Sequence, residues 1–360
     1  MSSMRMGFAA VLTLMVLAGC RENPLPPVPE SRREFLPRRS PEVRWVFRTG
    51  GMVGASPTVA YGSVYFGSWD EHVYRVDALT GSLHWSRHIE GGTAVSPLYT
   101  PAALICASLA GVLLGLSPET GEELWRIHVS DGPPGLPTME GGVLYMGGQT
   151  GLVAIDPSTG ARIWSFDTGE PVTAAPAVRD GTVYSASHDG AVRAHDASNG
   201  RIIWIFRSGA PVLSGPLVSG GDLFFGSCDS CVYSLDTGTG ELNWVFRTMG
   251  QIAASPVISG DLVLVGSVDN RLYALDRESG AERWRYAADG WIWSSPALVG
   301  ETAVFGSYDG CLYAVNSSTG REVWSFNTEA IIHSSPVAAE GMILFGSLDG
   351  GLYALETPNP

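Results

Sequence analysis

The stretch that decides the fold is Ala274-Leu275-Asp276-Arg277-Glu278-Ser279-Gly280-Ala281-Glu282-Arg283-Trp284, because its tryptophan recurs along the chain at a constant interval. Eight tryptophans are separated by 40, 40, 39, 40, 40, 40 and 40 residues. They are Trp45, Trp85, Trp125, Trp164, Trp204, Trp244, Trp284 and Trp324. A constant period of about 40 residues predicts one supersecondary unit that is repeated around a ring or along a solenoid.

Other residue types recur in step with the tryptophans. A proline lies twelve residues after each tryptophan, and five of these prolines follow a serine. A pair of small residues comes ten residues later, as in Gly266-Ser267. Two series of aspartates follow: Asp70, Asp189, Asp229, Asp269, Asp309 and Asp349, then Asp77, Asp156, Asp196, Asp236 and Asp276. Because both series are periodic, we assign them to turns rather than to a metal site.

Residues 255–286 show one complete unit. Gly, Asp and Asn separate four short runs of β-forming residues, which predict strands at Ser255–Ile258, Leu262–Gly266, Leu272–Leu275 and Glu282–Tyr286. Four strands in about 40 residues are typical of a propeller blade. The sequence therefore predicts an all-β, eight-bladed β-propeller over residues 43–356.

The predicted blades are cut out of phase with the chain. The first strand, Val43–Phe47, carries a tryptophan and reads as a lone fourth strand, whereas Ser335–Leu355 supply strands one to three of the last blade. We expect the N-terminal strand to complete that blade and close the ring, which removes exposed sheet edges. The one gap of 39 residues is assigned to a residue missing from the hairpin near Thr150-Gly151.

The first 42 residues have the features of a processed and anchored N-terminus. An apolar run, Gly7–Leu17, is too short to span a bilayer and ends in Leu17-Ala18-Gly19-Cys20. This ending resembles a bacterial lipobox, which implies a signal peptide over residues 1–19 and a lipidated Cys20. The alternative is an ordinary signal peptide with an incidental cysteine. Residues 20–42 are rich in proline and predict an extended tether.

The remaining cysteines predict structural rather than chemical roles. Cys106 occupies a position held by large apolar residues in other repeats, so we expect it to be buried. Cys228 and Cys231 form a C-x-x-C sequence, and Cys311 lies at the position of Cys231 two repeats later. A disulfide across the turn between Cys228 and Cys231, or a pair of unpaired structural thiols, is favoured over a redox or metal site, which would need a helix N-terminus or further ligands.

The repeat resembles the tryptophan-docking motif of quinoprotein-type, or PQQ-like, propellers, A-x-D-x-x-x-G-x-x-x-W. Residues 274–284, 154–164 and 194–204 fit it, and other repeats depart at one position, as where Arg75 replaces Ala and Ser117 replaces Asp. The resemblance covers nearly all of residues 43–356. It implies that each tryptophan packs between adjacent blades, while the Asp and Gly shape the turn on which the tryptophan docks.

The same resemblance raises the question of a PQQ-dependent dehydrogenase. Such enzymes carry adjacent cysteines, a calcium site and long insertions between blades, whereas this chain has no Cys-Cys pair and nearly insertion-free repeats. Its seven histidines are scattered, and no metal-ligand spacing or Gly-rich phosphate loop is present. We therefore expect no catalytic residues, metal or cofactor and no enzyme activity, with a PQQ-dependent oxidoreductase as the alternative.

Large residues that depart from the repeat pattern predict the position of a binding surface on the propeller. The connections from strand four to strand one and from strand two to strand three should share one face, where a variable position is large in several repeats. These residues are Trp69, His188, Trp291, Trp293, Tyr308 and His333. A cluster of Trp, Tyr and His at a channel mouth is typical of a recognition surface, and the alternative is that these side chains fill the central channel.

Blade count, size and anchor resemble the BamB-like lipoproteins, which scaffold the outer-membrane protein assembly machinery. The resemblance implies a non-catalytic interaction scaffold, monomeric, anchored by lipid to the periplasmic face of the outer membrane, with the barrel-assembly machinery as partner. Arg21 is not the Asp that favours inner-membrane retention. The net charge of −14 disfavours a nucleic-acid partner. A ligand-binding or sensing propeller is a further alternative.

Overall fold

The computed structural model describes residues 40–93, 95–129 and 132–357, which form eight four-stranded antiparallel sheets. The predicted signal peptide, Cys20 and the tether before Ser40 lie outside these residues. The eight-bladed all-β propeller is confirmed. Within the described residues, no helix has the length and apolarity needed to cross a membrane.

The first four blades follow one another along the chain, each with its strands in sequence order from the first to the fourth. Blade 1 contains β2 Thr58–Ala60, β3 Ser63–Ser68, β4 His72–Asp77 and β5 Leu83–His88. Blade 2 contains β6 Leu98–Tyr99, β7 Leu104–Ala107, β8 Val112–Leu116 and β9 Glu123–His128. Blade 3 contains β10 Pro137–Glu140, β11 Val143–Gly147, β12 Gly151–Ile155 and β13 Arg162–Asp167. Blade 4 contains β14 Ala177–Arg179, β15 Thr182–Ala186, β16 Ala191–Asp196 and β17 Ile202–Arg207.

The second half of the ring repeats this order until the last blade. Blade 5 contains β18 Leu217–Ser219, β19 Asp222–Gly226, β20 Cys231–Asp236 and β21 Leu242–Arg247. Blade 6 contains β22 Val257–Ser259, β23 Leu262–Gly266, β24 Arg271–Asp276 and β25 Glu282–Ala287. Blade 7 contains β26 Ala297–Val299, β27 Thr302–Gly306, β28 Cys311–Asn316 and β29 Glu322–Asn327. Blade 8 contains β30 Val337–Ala339, β31 Met342–Gly346, β32 Gly351–Glu356 and, from the start of the described chain, β1 Val43–Arg48.

Blade 8 closes the ring as the sequence predicts. β1 pairs antiparallel with β32, from Val43 opposite Leu355 to Arg48 opposite Gly351. The shortened repeat is also where it was expected, because Gly148 N donates to Gly151 O in blade 3, whereas Ser187 N donates to Ala191 O in blade 4. The hairpin of blade 3 is therefore one residue shorter.

The serines of the Ser-Pro pairs connect neighbouring blades instead of starting the first strands. β22 begins at Val257, after Pro256, whose nitrogen cannot donate to a sheet. Around the inner ring, the backbone N–H of one blade donates to the serine Oγ of the next over 2.8–3.1 Å. The chain of bonds runs through Gly215, Ser255, Ser295, Ser335, Ser56 and Ser96. The same residues therefore close the ring at its centre, across the junction of the two chain ends.

The periodic tryptophans lie in the seams between blades, as the resemblance implies. In every blade the pairing of the third and fourth strands shifts register beside the tryptophan, a β-bulge that reorients the side chain. In seven seams the indole Nε1 donates to a backbone carbonyl of the following blade over 2.8–3.1 Å. Trp324 is buried in the seam with blade 8. All eight seams are thus apolar, and seven of them show the indole hydrogen bond.

The glycine of the motif is required by the tryptophan that docks on it. Gly280 has φ +71°, and a Cβ added there would lie 2.6 Å from ring atoms of Trp244. The aspartate before it holds the same turn, since Asp276 Oδ1 accepts from the N–H and the hydroxyl of Ser279. These bonds, with the ion pair to Arg283, lower the pKa of Asp276. The structural assignment of the second aspartate series is therefore confirmed.

We expect Gly280→Ala to destabilise the protein more than Gly260→Ala. Gly260 also has a positive φ, +58°, but a Cβ there would meet nothing within 4 Å, so its replacement costs only the strain of about 1–2 kcal/mol. Gly280→Ala adds overpacking against Trp244, on the order of 1–3 kcal/mol. Urea denaturation of the two variants should resolve this difference. Equal losses of unfolding free energy would show that the seam tolerates a Cβ.

Candidate functional site at one mouth of the channel

The connections from strand four to strand one and from strand two to strand three meet at one mouth of the central channel. Trp69 N donates to Met52 O, and Tyr308 N donates to Trp291 O, so each blade joins its own two loops there. The residue after the small pair lies at this mouth in every blade. These eight residues, Trp69, Leu109, Gln149, His188, Cys228, Val268, Tyr308 and Leu348, are here called the mouth ring.

The first aspartate series stabilises the loops that carry the mouth ring. Asp269 Oδ1 accepts from Arg271 N, and its Oδ2 accepts from the Tyr273 hydroxyl at 2.6 Å and from Met249 N in the preceding loop. The same tyrosine–aspartate bond occurs in blades 1, 5, 7 and 8. These carboxylates are used to fix loops, which confirms the structural role predicted for this series.

Blade 4 replaces the tyrosine by an arginine. Arg193 is buried and donates from both terminal nitrogens to Asp189, next to His188 of the mouth ring. His188 itself binds Thr173, with Nε2 3.0 Å from Oγ1, and burial lowers its pKa. His188 is therefore held within its own blade and does not contact the other predicted rim residues.

Four of the six predicted rim residues come together in blades 7 and 8. The ring of Tyr308 lies 5.7 Å from that of Trp291 and 6.2 Å from that of Trp293, and His333 contacts both Tyr308 and Trp293. Trp293 also packs on Leu213 of blade 5. These side chains fill one half of the channel mouth, which we call the filled half.

The polar atoms of the filled half are paired with each other. The Tyr308 hydroxyl lies 2.8 Å from His333 Nδ1. Burial lowers the pKa of His333 to about 4 and raises the pKa of Tyr308, so both groups are neutral near pH 7 and share one hydrogen bond, whose donor is set by the imidazole tautomer. The pair forms part of the channel wall, and a histidine with a pKa of about 4 is only a weak base near pH 7.

The sixth rim residue, Trp69, borders a cavity of about 750 Å³ at the mouth of blades 8, 1 and 2. Met52, Leu109 and Leu348 share its wall, together with the carboxylates of Glu71 and Asp349. We call this the open half. Sequence analysis did not select Met52, Leu109 or Leu348, although the last two occupy the same repeat position as Trp69 and were open to the same reasoning.

A second cavity, of about 840 Å³, lies at the opposite face, where the described chain begins. Ser40, Arg44, Glu340 and Glu356 are among its lining residues, and Arg44 forms an ion pair with Glu356. Its walls are mainly polar and hold none of the predicted site residues.

The predicted disulfide between Cys228 and Cys231 is wrong, because Cys231 is a free thiol. Cys228 is directed to the mouth, where its backbone N–H binds Pro211 O and its side chain packs on Leu213. Cys231 starts β20, with its Sγ 3.8 Å from Asp229 O. Cys106 is buried as predicted, and burial raises the pKa of both Cys231 and Cys311, the latter to about 12. The free cysteines are thus poor nucleophiles.

The donors of the described residues do not fit a calcium-bound quinone cofactor. No group of three His, Cys, Asp or Glu side chains in this part of the chain is arranged to hold a metal ion. The periodic carboxylates accept hydrogen bonds from backbone N–H groups and tyrosines. Trp293 and Tyr308 occupy the filled half of the channel mouth.

Comparison with known proteins places the sequence beside one family over nearly its whole length. The family model described as "Outer membrane protein assembly factor BamB" matches residues 38–153, 109–244, 148–290 and 229–359, which overlap and together span 38–359. A polyvinylalcohol dehydrogenase of Sphingopyxis sp. (strain 113P3) is 29% identical over 116 residues, which are 30% of this chain and 17% of the enzyme.

Solved structures share the fold at low sequence identity. BamB from Moraxella catarrhalis superimposes with a TM-score of 0.77 at 19% identity, over 88% of this chain and all of that one. The designed protein Ika8 gives 0.78 at 16% identity over 86% and 98% of the two chains. Sqt1 from Saccharomyces cerevisiae gives 0.79 at 13% identity over 89% and 100%. At these identities the likeness concerns the fold alone.

We expect His333 to destabilise the protein as the pH falls. Its pKa of about 4 lies below the ordinary value of 6.5. Between these values the unfolded chain binds more protons, so the free energy of unfolding decreases from pH 6.5 toward pH 4. His333→Gln should therefore show a weaker pH dependence in urea denaturation than the wild type. His84→Gln, on the exposed outer strand of blade 1, is the control, and equal slopes for wild type and His333→Gln would contradict the assignment.

Proposed function

Because the chain belongs to the family of the outer membrane protein assembly factor BamB, we propose that it is a non-catalytic interaction scaffold that assists the assembly of outer-membrane β-barrel proteins. A lipid on Cys20 would hold it at the periplasmic face of the outer membrane. It acts as a monomer whose partner is a protein of the barrel-assembly machinery.

One contrast within the ring carries this proposal. The periodic polar residues are engaged in hairpins and seams, whereas the residues that depart from the repeat gather at a single mouth. Trp69, with its half-buried neighbours Met52, Leu109 and Leu348, gives that mouth an apolar surface beside water. Such a patch favours a binding surface over a catalytic centre, because contacts of this kind recognise partners without requiring a perturbed acid or base.

The envelope location rests on two features. Members of this family are named for outer-membrane protein assembly. The sequence Leu17-Ala18-Gly19-Cys20 supplies the acceptor thiol for a lipid. A single anchor with a Pro-rich tether would leave the propeller free to face a membrane-bound partner.

An oxidoreductase is the second candidate, since part of the chain is similar to a polyvinylalcohol dehydrogenase. The matched segment covers 17% of that enzyme, and Trp293 and Tyr308 occupy the filled half of the mouth, which disfavours a cofactor at that position. Purified protein mixed with PQQ and calcium should show neither the cofactor's absorbance after gel filtration nor dye reduction with alcohols. Either signal would favour the oxidoreductase.

Affinity purification from membranes tests the scaffold directly. We expect the wild-type protein to copurify with components of the barrel-assembly machinery, identified by mass spectrometry. Cys20→Ala should move the protein from the membrane fraction to the soluble fraction while preserving its fold by circular dichroism. Reproducible absence of the assembly machinery from wild-type eluates would refute this partner, and an unchanged membrane fraction for Cys20→Ala would refute the anchor.

A further inference from the structure

The open half of the mouth combines three features of a peptide site. Its apolar wall consists of Met52, Trp69, Leu109 and Leu348, all only partly buried. A ligand that covers apolar side chains beside an open cavity removes their surface from water, which contributes favourably to the free energy of binding. The volume of about 750 Å³ is within the range of pockets that hold small ligands or a few side chains.

The remaining wall exposes backbone instead of side chains. Four glycines border the cavity: Gly50, Gly51, Gly91 and Gly350. Gly51 must be a glycine, because a Cβ there would lie 2.5 Å from the backbone nitrogen of Asp70. Bare backbone lets an extended chain approach closely enough to form main-chain hydrogen bonds.

The charges around the open half are predominantly negative. Glu71 lines the cavity with its side chain 51% exposed, and its neighbour on the outer strand is His88, at 3.2 Å. Asp349 is paired with Arg48 at 2.7 Å, and Arg48 also stacks on Tyr353. Arg48 is therefore engaged, whereas the carboxylate of Glu71, which contacts His88 on one side, still reaches solvent and can attract a positively charged ligand.

Trp69 also has an unused donor. Its indole Nε1 is buried and has no hydrogen-bond partner among the described residues. An unpaired buried donor costs about 1–3 kcal/mol. Because this nitrogen has no surface open to the cavity, a ligand there contacts the ring of Trp69 and not its N–H.

We infer that the open half binds an extended segment of a partner protein in which one apolar side chain is flanked by arginine or lysine. The apolar side chain contacts Trp69, Leu109 and Leu348, and a flanking cation lies against Glu71. The inference rests on the proposed scaffold function and names the site and the chemistry through which the scaffold holds its partner. The inference assigns different roles to the two halves of the mouth: the filled half stabilises the channel wall, and the open half binds the partner segment.

The experiment uses the full chain labelled with 5-fluorotryptophan and observed by fluorine NMR. Trp69→Phe identifies the resonance of Trp69 among those of the eleven tryptophans. Three acetylated and amidated peptides are titrated: GSRLRSG, GSRARSG, which lacks the apolar side chain, and GSELESG, which reverses the charge. We expect only GSRLRSG to shift the Trp69 resonance in a saturable way, with affinity at least tenfold higher than that of GSRARSG.

A variant of the protein tests the acidic wall, and a second variant serves as its control. Glu71→Gln should weaken binding of GSRLRSG several-fold at low salt and remove most of its salt dependence. Met249→Ala is the matched control, since this side chain is exposed on the same face but belongs to the loop before blade 6. It should bind like the wild type. Thermal unfolding of each variant confirms that the fold is retained.

Three outcomes would overturn the inference: no shift of Trp69, equal shifts with GSELESG and GSRLRSG, or a shift that grows with protein concentration in the absence of peptide. The last would assign the cavity to a second copy of the chain. Failure of the site is distinguishable from failure of the scaffold. Membrane partners that copurify equally with wild type and Trp69→Ala, without peptide binding, would refute this site alone, whereas peptide binding without any membrane partner would refute the scaffold alone.

Discussion

Each seam of this ring depends on the docking of one tryptophan on the following blade. The indole nitrogen of Trp244, for example, donates to the carbonyl of Arg277 at 2.9 Å, while the ring covers Gly280. A buried carbonyl needs a donor, and an aromatic ring buries a large apolar area, so one side chain meets both requirements of the seam. The bulge before the tryptophan and the turn held by Asp276 place the donor and its acceptor at hydrogen-bonding distance.

This dependence explains why the fold could be predicted from the sequence in detail. A contact that must recur in every seam imposes its residue types at a fixed spacing, so the period, the eight blades and the closing strand β1 were all predicted correctly. The aspartates were assigned to turns on the same ground, and Asp276 and Asp269 hold turns in the structure. Prediction was accurate wherever the determinant was local and repeated.

Features that link two repeats were missed for the corresponding reason. The Ser-Pro pairs were visible as a pattern, but a period gives positions and not partners, so the bonds from Ser255 to Ser295 and from Ser335 to Ser56 were not predicted. Within a single repeat, a tyrosine four residues after five of the six aspartates also carried a signal, because blades 2 and 3 lack both residues, with Ala110 and Leu114 in blade 2. The prediction of a disulfide between Cys228 and Cys231 was wrong because the spacing of two cysteines does not determine on which side of a turn each side chain lies.

The division of the mouth also lies beyond sequence periodicity. Trp69 and Tyr308 occupy the same position of the repeat, yet Tyr308 is covered by Trp293 and His333 whereas Trp69 borders a cavity. The difference arises three residues before the proline that recurs in each repeat, where blades 7 and 8 have Trp293 and His333 but blade 1 has Gly54. Trp293 and His333 both pack on Tyr308, the mouth residue of blade 7, whereas Gly54 brings no side chain to Trp69. A symmetric ring would present eight equivalent positions around its mouth, whereas this difference between blades 1, 7 and 8 distinguishes the open half, where we propose binding, from the filled half.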